Sequence, residues 1–321
     1  MAVYTKVTRN NLNNFLMNYD IGILKNFEEI AEGVENTNYK IITSKNIFIL
    51  TIFEKRVSTK DLPFFMELMN YLNNKKYKCP KPIANLEGKY ISKINNKFCS
   101  IVSFIEGNWI KKIENTHCKQ LGYNLAKLHV LTKDFKLKRN NSMGYKSWND
   151  IFNNFNSKKI NEYNDIYKVI YNELEFLNKN WPKKLPSGII HADLFQDNVF
   201  FKNNKFTGVI DFYFACNDYY AYELAVCLNA WCFEKDQSFN TTKARLILNE
   251  YQKEKPLNKE EKEYFPILSR GAAVRFLLTR LNDLIFHSAK NFVKPKDPNE
   301  YLKILHFHKC IKSINEYGFD K

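Results

Sequence analysis

The sequence predicts an α+β fold with two lobes of different character. Short β-rich runs separated by polar turns occupy the first hundred residues, and helical patterns follow, interrupted by a few short strands near residues 189–211. We therefore expect a small antiparallel β-rich lobe at residues 1–106 and a larger, mainly helical lobe at residues 107–321. With 321 residues, each lobe is large enough to bury a core of its own.

The N-terminal lobe is predicted from alternation and turn signals. Residues 8–20 predict a capped amphipathic helix, and three β-rich runs follow at residues 26–30, 39–43 and 47–53. DLPFFMELMNYLNNK predicts a helix with proline in its first turn, which tolerates that residue. A hairpin around NLEGKY and a strand in CSIVSF complete the lobe. The boundary is expected near residues 106–108, as a hinge without a linker.

The C-terminal lobe is predicted from helical periodicity. THCKQLGYNLAKLHVLT carries an apolar stripe, YAYELAVCLNAWCF predicts a buried helix, and the last helices are expected in EYFPILSRGAAVRFLLTRLNDLIFHSA and EYLKILHFHKCIKSINEY. SGII, NVFF and FTGVIDF predict the short strands between them.

Composition excludes several classes of protein. The formal net charge is +15, but the positive residues are scattered and no motif indicates nucleic-acid binding, so a composition rich in lysine and asparagine explains the charge. No stretch approaches the length of an apolar membrane span, and the N-terminus has no signal-peptide pattern. The seven cysteines include no C-x-x-C pair, so we expect reduced thiols in a cytoplasmic protein. We predict that the protein binds a small molecule, and that the chain is a monomer or a homodimer.

The most informative motif lies in IIHADLFQDNVFF and GVIDFYFA. It places His191, Asp193 and Asn198 in the spacing H-x-D-x-x-x-x-N, and Asp211 follows thirteen residues after Asn198. The flanking strands put these side chains on loops at strand ends. Such a set suits a phosphotransferase, because one carboxylate can accept a hydroxyl proton while an amide and a second carboxylate hold a metal ion. We therefore expect Asp193 to be catalytic and Asn198 with Asp211 to bind Mg²⁺, whereas His191 braces the loop.

At this point the sequence resembles the aminoglycoside-phosphotransferase and choline-kinase-like superfamily, whose members have a bilobal protein-kinase-like fold. The blocks IDFYFACND, LNAWCFE and RGAAVRFLLTRL are similar to the homoserine kinases of that superfamily. Matching segments run nearly from end to end, from MAVYTKV to KPKDPNEYL. The resemblance implies transfer of a phosphoryl group from ATP, with Mg²⁺, to the side-chain hydroxyl of L-homoserine, as in threonine biosynthesis.

The resemblance also implies a nucleotide site. The loop between the first two strands would cover the phosphates, and the backbone of residues 103–106 would read the adenine. The implied nucleotide-binding residues are Gly33, Val34, Asn36, Asn38, Thr51, Lys55, Ser103, Phe104 and Glu106. One position departs from the family pattern, because Thr51 stands where a lysine or arginine usually pairs with the phosphates. Lys55 or Arg56 would have to replace it.

A site for the acceptor is a separate inference. Homoserine carries a carboxylate and an ammonium group, which call for a guanidinium and for a carboxylate or carbonyl. The candidate substrate-binding residues are Asn217, Asp218, Asn229, Arg275 and Arg280. The arginines could equally form internal ion pairs with Asp218, Glu223 or Asp283. Glu223 is expected to brace the catalytic loop.

Two alternatives stay open on the sequence alone. A related small-molecule kinase could act on choline or ethanolamine, methylthioribose or an aminoglycoside, although the excess of basic residues argues against the polycationic aminoglycosides. A nucleotide-binding pseudokinase is disfavoured because Asp193, Asn198 and Asp211 are all present.

Overall fold

The computed structural model describes residues 4–31, 36–54, 57–155, 160–286 and 295–319. The chain divides into two compact units. The first contains residues 1–107 and 207–213, and the second contains residues 108–206 and 214–321. The mixed α+β architecture, with an antiparallel sheet in the N-terminal part and helices in the C-terminal part, confirms the predicted fold class.

The first unit is built on an antiparallel sheet with the strand order β1-β2-β3-β6-β4, and β5 also pairs with β6. Its elements are α1 (Arg9–Leu16), β1 (Leu24–Ile30), β2 (Thr37–Thr43), β3 (Ile47–Ile52), α2 (Leu62–Asn74), β4 (Pro82–Ile83), β5 (Ser92–Ile94) and β6 (Lys97–Ser103). The three strands predicted first and both helices are therefore present. Thr8 caps α1 by accepting a hydrogen bond from the backbone of Asn11.

Alternation along β2 and β3 gives the sheet two different faces. Tyr39, Ile41 and Leu50 are fully buried in a core that also contains Leu12 and Phe15 of the N-terminal segment. The intervening residues of β2 and β3 point to the opposite face, because successive side chains of a strand alternate. Asn38 and Thr51, which are paired in the register of the two strands, lie on that opposite face.

The prediction of a hairpin around NLEGKY is wrong about which strands pair. Residues 85–89 do form a tight turn, closed by a hydrogen bond from Asn85 N to Lys89 O, but β4 and β5 each pair with β6 and not with one another. The true hairpin joins β5 to β6 through Asn95 and Asn96, both with positive φ. Asparagine tolerates this conformation better than most residues, which favours a tight two-residue turn.

The second unit contains most of the helices. Its elements are α3 (Asn115–Leu131), α4 (Tyr145–Asn153), α5 (Asn164–Asn180), β7 (Ser187–Ile190), β8 (Val199–Lys202), β9 (Lys205–Val209), β10 (Cys216–Tyr219), α6 (Tyr220–Trp231), α7 (Thr241–Glu254), α8 (Lys259–Ile285) and α9 (Asn299–Cys310). The β9 strand begins here and passes into the first unit at residue 207. The α6 helix packs against α8, and α8 packs against α9. The α3 helix packs closely on α7, since a Cβ atom at Gly122 would lie 2.3 Å from Ile247 O.

Two helix boundaries differ from the prediction for local reasons. The α8 helix begins at Lys259, earlier than expected, because Asn258 and Glu261 form a reciprocal capping box. The last helix ends at Cys310, and Ser313 with Glu316 caps a separate 3₁₀ turn at Ile314–Tyr317. The sequence predicts one continuous helix here because the apolar pattern continues across the break.

All seven cysteines are free thiols, six of them buried and Cys310 exposed. Within the parts of the chain that are described, none of the helices is long and apolar enough to cross a membrane.

Candidate active site

The loop of the second unit that carries the H-x-D motif leaves β7 at Ile190 and ends in a 3₁₀ turn at Gln196–Asn198. The amide nitrogen of Asn198 donates to the backbone oxygen of Asp193 at 2.8 Å and to its carboxylate Oδ2 at 3.1 Å. The motif therefore brings these two side chains into direct contact. Since both bonds use the amide nitrogen, the amide oxygen Oδ1 remains as the atom that a hard cation prefers.

His191 is completely buried at the start of this loop. Its Nδ1 atom accepts a hydrogen bond from the backbone nitrogen of Asp193 at 3.3 Å. The ring thus contacts the backbone of Asp193, which is the arrangement expected of a histidine that braces the loop.

Glu223 anchors the loop from helix α6. Its Oε1 accepts a 2.6 Å hydrogen bond from the backbone of Ala192, and its Oε2 lies 2.7 Å from Nε2 of His129 on α3. His129 Nδ1 in turn lies 2.8 Å from the hydroxyl of Tyr251 on α7. Burial lowers the pKa of His129, although Glu223 opposes that shift. A neutral ring that donates to Glu223 and accepts from Tyr251 satisfies every partner in this buried chain.

Asp211 belongs to the first unit and lies two residues beyond the end of β9. Its side chain is exposed and its φ is +61°, which is uncommon for a residue other than glycine. Tyr213 anchors the segment that follows Asp211. Its ring packs edge-to-face against Phe53, with the centroids 5.1 Å apart, and against Phe65, with the centroids 5.7 Å apart. Burial raises the pKa of Tyr213 to about 12. An unusual backbone conformation held in place by such packing is frequent at functional sites.

The predicted nucleotide-binding residues fall partly outside the described residues, where Gly33, Val34 and Lys55 lie. Among the others, the buried Thr51 hydroxyl donates to Asn38 Oδ1 at 2.8 Å across β2 and β3. Asn36 accepts a bond of 3.3 Å from the backbone of Glu54. The position of the family lysine is therefore occupied by a neutral, paired side chain.

The segment predicted to read adenine follows β6. Ser103 exchanges hydrogen bonds with Lys81, through its backbone nitrogen at 2.8 Å and its hydroxyl at 2.9 Å, while Phe104 N donates to Ile47 O at 3.3 Å. The Glu106 residue also takes part in an interaction within the protein. The Lys40 ammonium group lies 5.5 Å from the centroid of the Phe104 ring. Lys40 shares the sheet face of Asn38, a placement that the two-residue spacing in the sequence could have revealed.

Two of the predicted substrate-binding residues, Asn217 and Asp218, lie on β10, a strand that sequence analysis missed. Asn217 Oδ1 accepts from the backbone of Arg139 at 2.9 Å. Asp218 Oδ2 accepts from Asn141 Nδ2 at 2.7 Å, and burial raises the pKa of Asp218. Arg139 and Asn141 were not predicted, and they carry no local pattern that could have identified them.

Asn229 is buried among the helices. Its Oδ1 lies 2.6 Å from Nε2 of His308, and its amide nitrogen is 3.5 Å from Ser269 O. Burial lowers the pKa of His308 to about 3, so that ring is neutral. The polar atoms of Asn229 are thus used within the helical core.

The arginines of α8 have three different partners. Arg270 forms a bidentate pair with Glu173, and Arg280 pairs with Glu300. Arg275 donates instead to the backbone oxygen of Ala192. The internal ion pairs considered from the sequence therefore occur for two arginines, but with glutamates that the sequence did not indicate.

Tyr301 lies close enough to two of these arginines and to Asp193 to feel their charges. Burial raises the pKa of Tyr301, and the charges of Arg280, Glu300, Asp193 and Arg275 all act on its hydroxyl. The Arg280 guanidinium also stacks 4.4 Å from the centroid of the Tyr301 ring. Arg280, Arg275 and Asp193 therefore lie in the same part of the helical unit, around Tyr301.

A β-rich unit, a helical unit and a loop that joins an aspartate to an asparagine define a kinase-like phosphotransferase. A family model described as the phosphotransferase enzyme family, APH, matches residues 26–257. The chain belongs to this family.

Relatives with curated names match the whole chain. The homoserine kinase of Parvibaculum lavamentivorans is 48% identical over 321 residues, covering 100% of both chains. The homoserine kinase of Agrobacterium fabrum is 45% identical and covers 99% of each. Among solved structures, the amicoumacin kinase hAmiN in complex with AMP-PNP and Ca²⁺ aligns with a TM-score of 0.70 at 15% identity, covering 94% of this chain and 92% of that one.

Proposed function

We propose that the protein is a homoserine kinase, which transfers the γ-phosphoryl group of ATP to the side-chain hydroxyl of L-homoserine and releases O-phospho-L-homoserine and ADP. The observation that carries the proposal is the Asp193–Asn198 contact on the catalytic loop of a chain that matches homoserine kinases from end to end. The product would enter threonine biosynthesis.

Asp193 is the proposed catalytic base. In the transfer, the hydroxyl oxygen of homoserine forms a bond to the γ-phosphorus while the bond to the β–γ bridging oxygen breaks, and the hydroxyl proton passes to the Asp193 carboxylate. Most of the rate gain in such reactions comes from in-line positioning and charge neutralisation. Asn198 holds the Asp193 carboxylate on a braced loop, which satisfies the requirement for positioning.

Asn198 and Asp211 are the proposed ligands of Mg²⁺. The amide oxygen Oδ1 of Asn198 and the carboxylate of the exposed Asp211 would provide one neutral and one charged oxygen. Hard oxygen donors fit Mg²⁺, which usually keeps several waters and the nucleotide phosphates as its other ligands. The ion would neutralise charge on the transferring phosphoryl group.

The proposed nucleotide site uses the sheet of the first unit. Gly33, Val34, Asn36 and Asn38 would cover the phosphates, and the backbone at residues 103–106 would contact the adenine. Because Thr51 is neutral and hydrogen-bonded to Asn38, it would shape this site through Asn38, while a cation such as Lys55 would contact the phosphates. The AMP-PNP in the solved amicoumacin kinase complex is consistent with ATP as the donor.

Arg280 is the proposed partner of the homoserine carboxylate, and Asp218 that of its ammonium group. Arg280 lies in the same electrostatic environment as Asp193, and its present partner Glu300 is partly exposed. Asp218, with Asn217 beside it, supplies a half-buried carboxylate on β10. Arg275 and Asn229, the remaining candidates, are engaged with the catalytic loop and with His308.

An ADP-release assay with ATP, Mg²⁺ and a panel of hydroxylated acceptors tests the proposal. L-homoserine should give the highest rate, above choline, ethanolamine, methylthioribose and an aminoglycoside. Turnover of one of those acceptors without turnover of L-homoserine would assign a different substrate. ATP binding without phosphorylation of any acceptor would indicate a pseudokinase.

A further inference from the structure

The peptide bond between Ala192 and Asp193 is held at both ends. Its oxygen accepts a hydrogen bond from Arg275 Nη1, and its nitrogen donates to His191 Nδ1. The preceding peptide nitrogen is held by Glu223. From this geometry we infer that Arg275 is a positioning residue, which fixes the backbone of the catalytic aspartate and does not bind the substrate carboxylate.

The conformation of Ala192 shows why such a residue is needed. Ala192 has a φ of +66°, in the left-handed region that residues with a Cβ atom rarely adopt. A conformation of this kind persists only where surrounding contacts hold it. Two charged side chains supply these contacts. Glu223 accepts a hydrogen bond from the nitrogen of Ala192, and Arg275 donates one to its oxygen.

The surroundings of Arg275 are those of a fixed structural cation. The residue is 3% exposed, and its guanidinium carbon lies 4.3 Å from the Phe276 ring centroid and 5.8 Å from that of Phe214. A guanidinium enclosed by aromatic rings makes strong charge-assisted bonds, because little water competes for its donors. The bond to Ala192 O is therefore well placed to resist rotation of the peptide.

The donor pattern of Arg275 argues against a substrate carboxylate. A guanidinium binds a carboxylate in bidentate fashion through Nη2 together with either Nε or Nη1. Nη1 already donates to Ala192 O, and Nε is buried where solvent does not reach it. Neither pair therefore offers two donors that a carboxylate entering from solvent can reach.

Loss of Arg275 should allow the Ala192–Asp193 peptide to rotate and displace the catalytic carboxylate. A displacement of about 1 Å at a reacting group can lower the rate by about 100-fold. This inference rests on the proposed function, because it assigns Arg275 a role in presenting Asp193 to the acceptor hydroxyl.

The experiment compares Arg275→Met and Arg275→Lys with the wild type. Equilibrium binding of L-homoserine is measured by calorimetry in the presence of AMP-PNP and Mg²⁺, and kcat is measured by ADP release. We expect Arg275→Met to lose about 100-fold in kcat while the Kd for homoserine changes less than twofold. The ammonium of Arg275→Lys can still donate to a carbonyl, so its loss should be smaller, about tenfold.

Arg270→Met is the matched control for a purely structural effect. Arg270 lies on the same helix and pairs with the buried Glu173, so its loss should lower the melting temperature without changing kcat at a temperature where the variant is folded. If Arg275→Met does not fold, Arg275→Lys decides the question through the same two measurements.

Two results would overturn the inference. One is a tenfold or greater rise in the Kd for homoserine with nearly unchanged kcat, which would make Arg275 the carboxylate ligand. The other is a folded Arg275 variant with wild-type kcat. If the wild type does not bind homoserine at all, the proposed acceptor is wrong, and the kcat comparison is then made with whichever acceptor releases ADP.

Discussion

Glu223 accepts a 2.6 Å hydrogen bond from the backbone nitrogen of Ala192, the residue that precedes Asp193. Through this bond, helix α6 is tied to the loop that carries Asp193, and through His129 and Tyr251 the same carboxylate is tied to α3 and α7. Three helices that are distant in sequence therefore contribute to the placement of one loop.

Glu223→Ala should damage both stability and catalysis. The substitution leaves the Ala192 nitrogen and the His129 ring without their buried partner, at a cost of about 3 kcal/mol in unfolding free energy. Denaturant unfolding measures that loss, and ADP release should show a fall in kcat of about 100-fold because the loop is no longer held.

Glu223→Gln is the matched variant for that prediction. A glutamine can still accept from Ala192, and its amide can donate to His129 if the ring moves its proton to Nδ1 and donates to Tyr251. We expect a smaller loss of both stability and kcat than in Glu223→Ala. Equal damage in the two variants would show that the negative charge, and not the hydrogen bond, supports the loop.

Thr51→Val should weaken the nucleotide site. It removes the hydrogen bond to Asn38, worth about 1 kcal/mol of stability, and frees a side chain proposed to lie near the phosphates. The KM for ATP should rise several-fold while the KM for homoserine stays the same. Thr43→Val is the control, because Thr43 is similarly buried on the neighbouring strand β2 but bonds to Ile21 O. A KM for ATP that changes alike in both variants would exclude a specific role for Thr51.

The stability of the protein should fall in mild acid. Burial lowers the pKa of His308 from 6.5 to about 3, so between these values the unfolded chain binds a proton that the folded chain does not. Unfolding free energy therefore decreases as the pH falls below about 6.5, by about 2 kcal/mol from this residue at pH 5. The lowered pKa of His129 acts in the same direction. Denaturant unfolding at pH 7 and pH 5 measures the change, and His308→Gln should reduce the difference between the two.

Asp211→Asn should raise the Mg²⁺ concentration needed for half-maximal activity. The substitution removes the charged oxygen ligand from the proposed metal site while keeping the side-chain size. We expect a shift of tenfold or more in a Mg²⁺ titration of ADP release, together with a lower kcat. Asp197→Asn removes another exposed carboxylate, inside the motif itself, and should leave the titration unchanged. A similar shift in both variants would mean that general surface charge is responsible.

The parts of the structure that follow from local sequence were predictable. The strands β2 and β3 follow from alternation, and α3 from helical periodicity. The contact between Asp193 and Asn198 also follows from their spacing, because five residues on a strand-end loop leave few arrangements.

The parts that depend on distant contacts were not predictable. The bond from Arg275 to Ala192 joins residues 83 positions apart, and the Glu223–His129 pair joins residues 94 apart. Nothing in the local pattern around these residues selects the partner. The β10 strand was missed because CNDY lacks apolar alternation, and it exists by pairing with β7.

Identification of the reaction product decides whether the protein phosphorylates L-homoserine with Asp193 as the base. Wild-type protein is incubated with ATP, Mg²⁺ and L-homoserine, and the phosphorylated compound is identified by mass spectrometry and ³¹P NMR, alongside Asp193→Asn. We expect O-phospho-L-homoserine from the wild type, and from Asp193→Asn a rate lower by orders of magnitude with ATP binding retained. Absence of that product from the folded wild type would exclude the homoserine kinase activity, and its formation at an unchanged rate by Asp193→Asn would exclude Asp193 as the base.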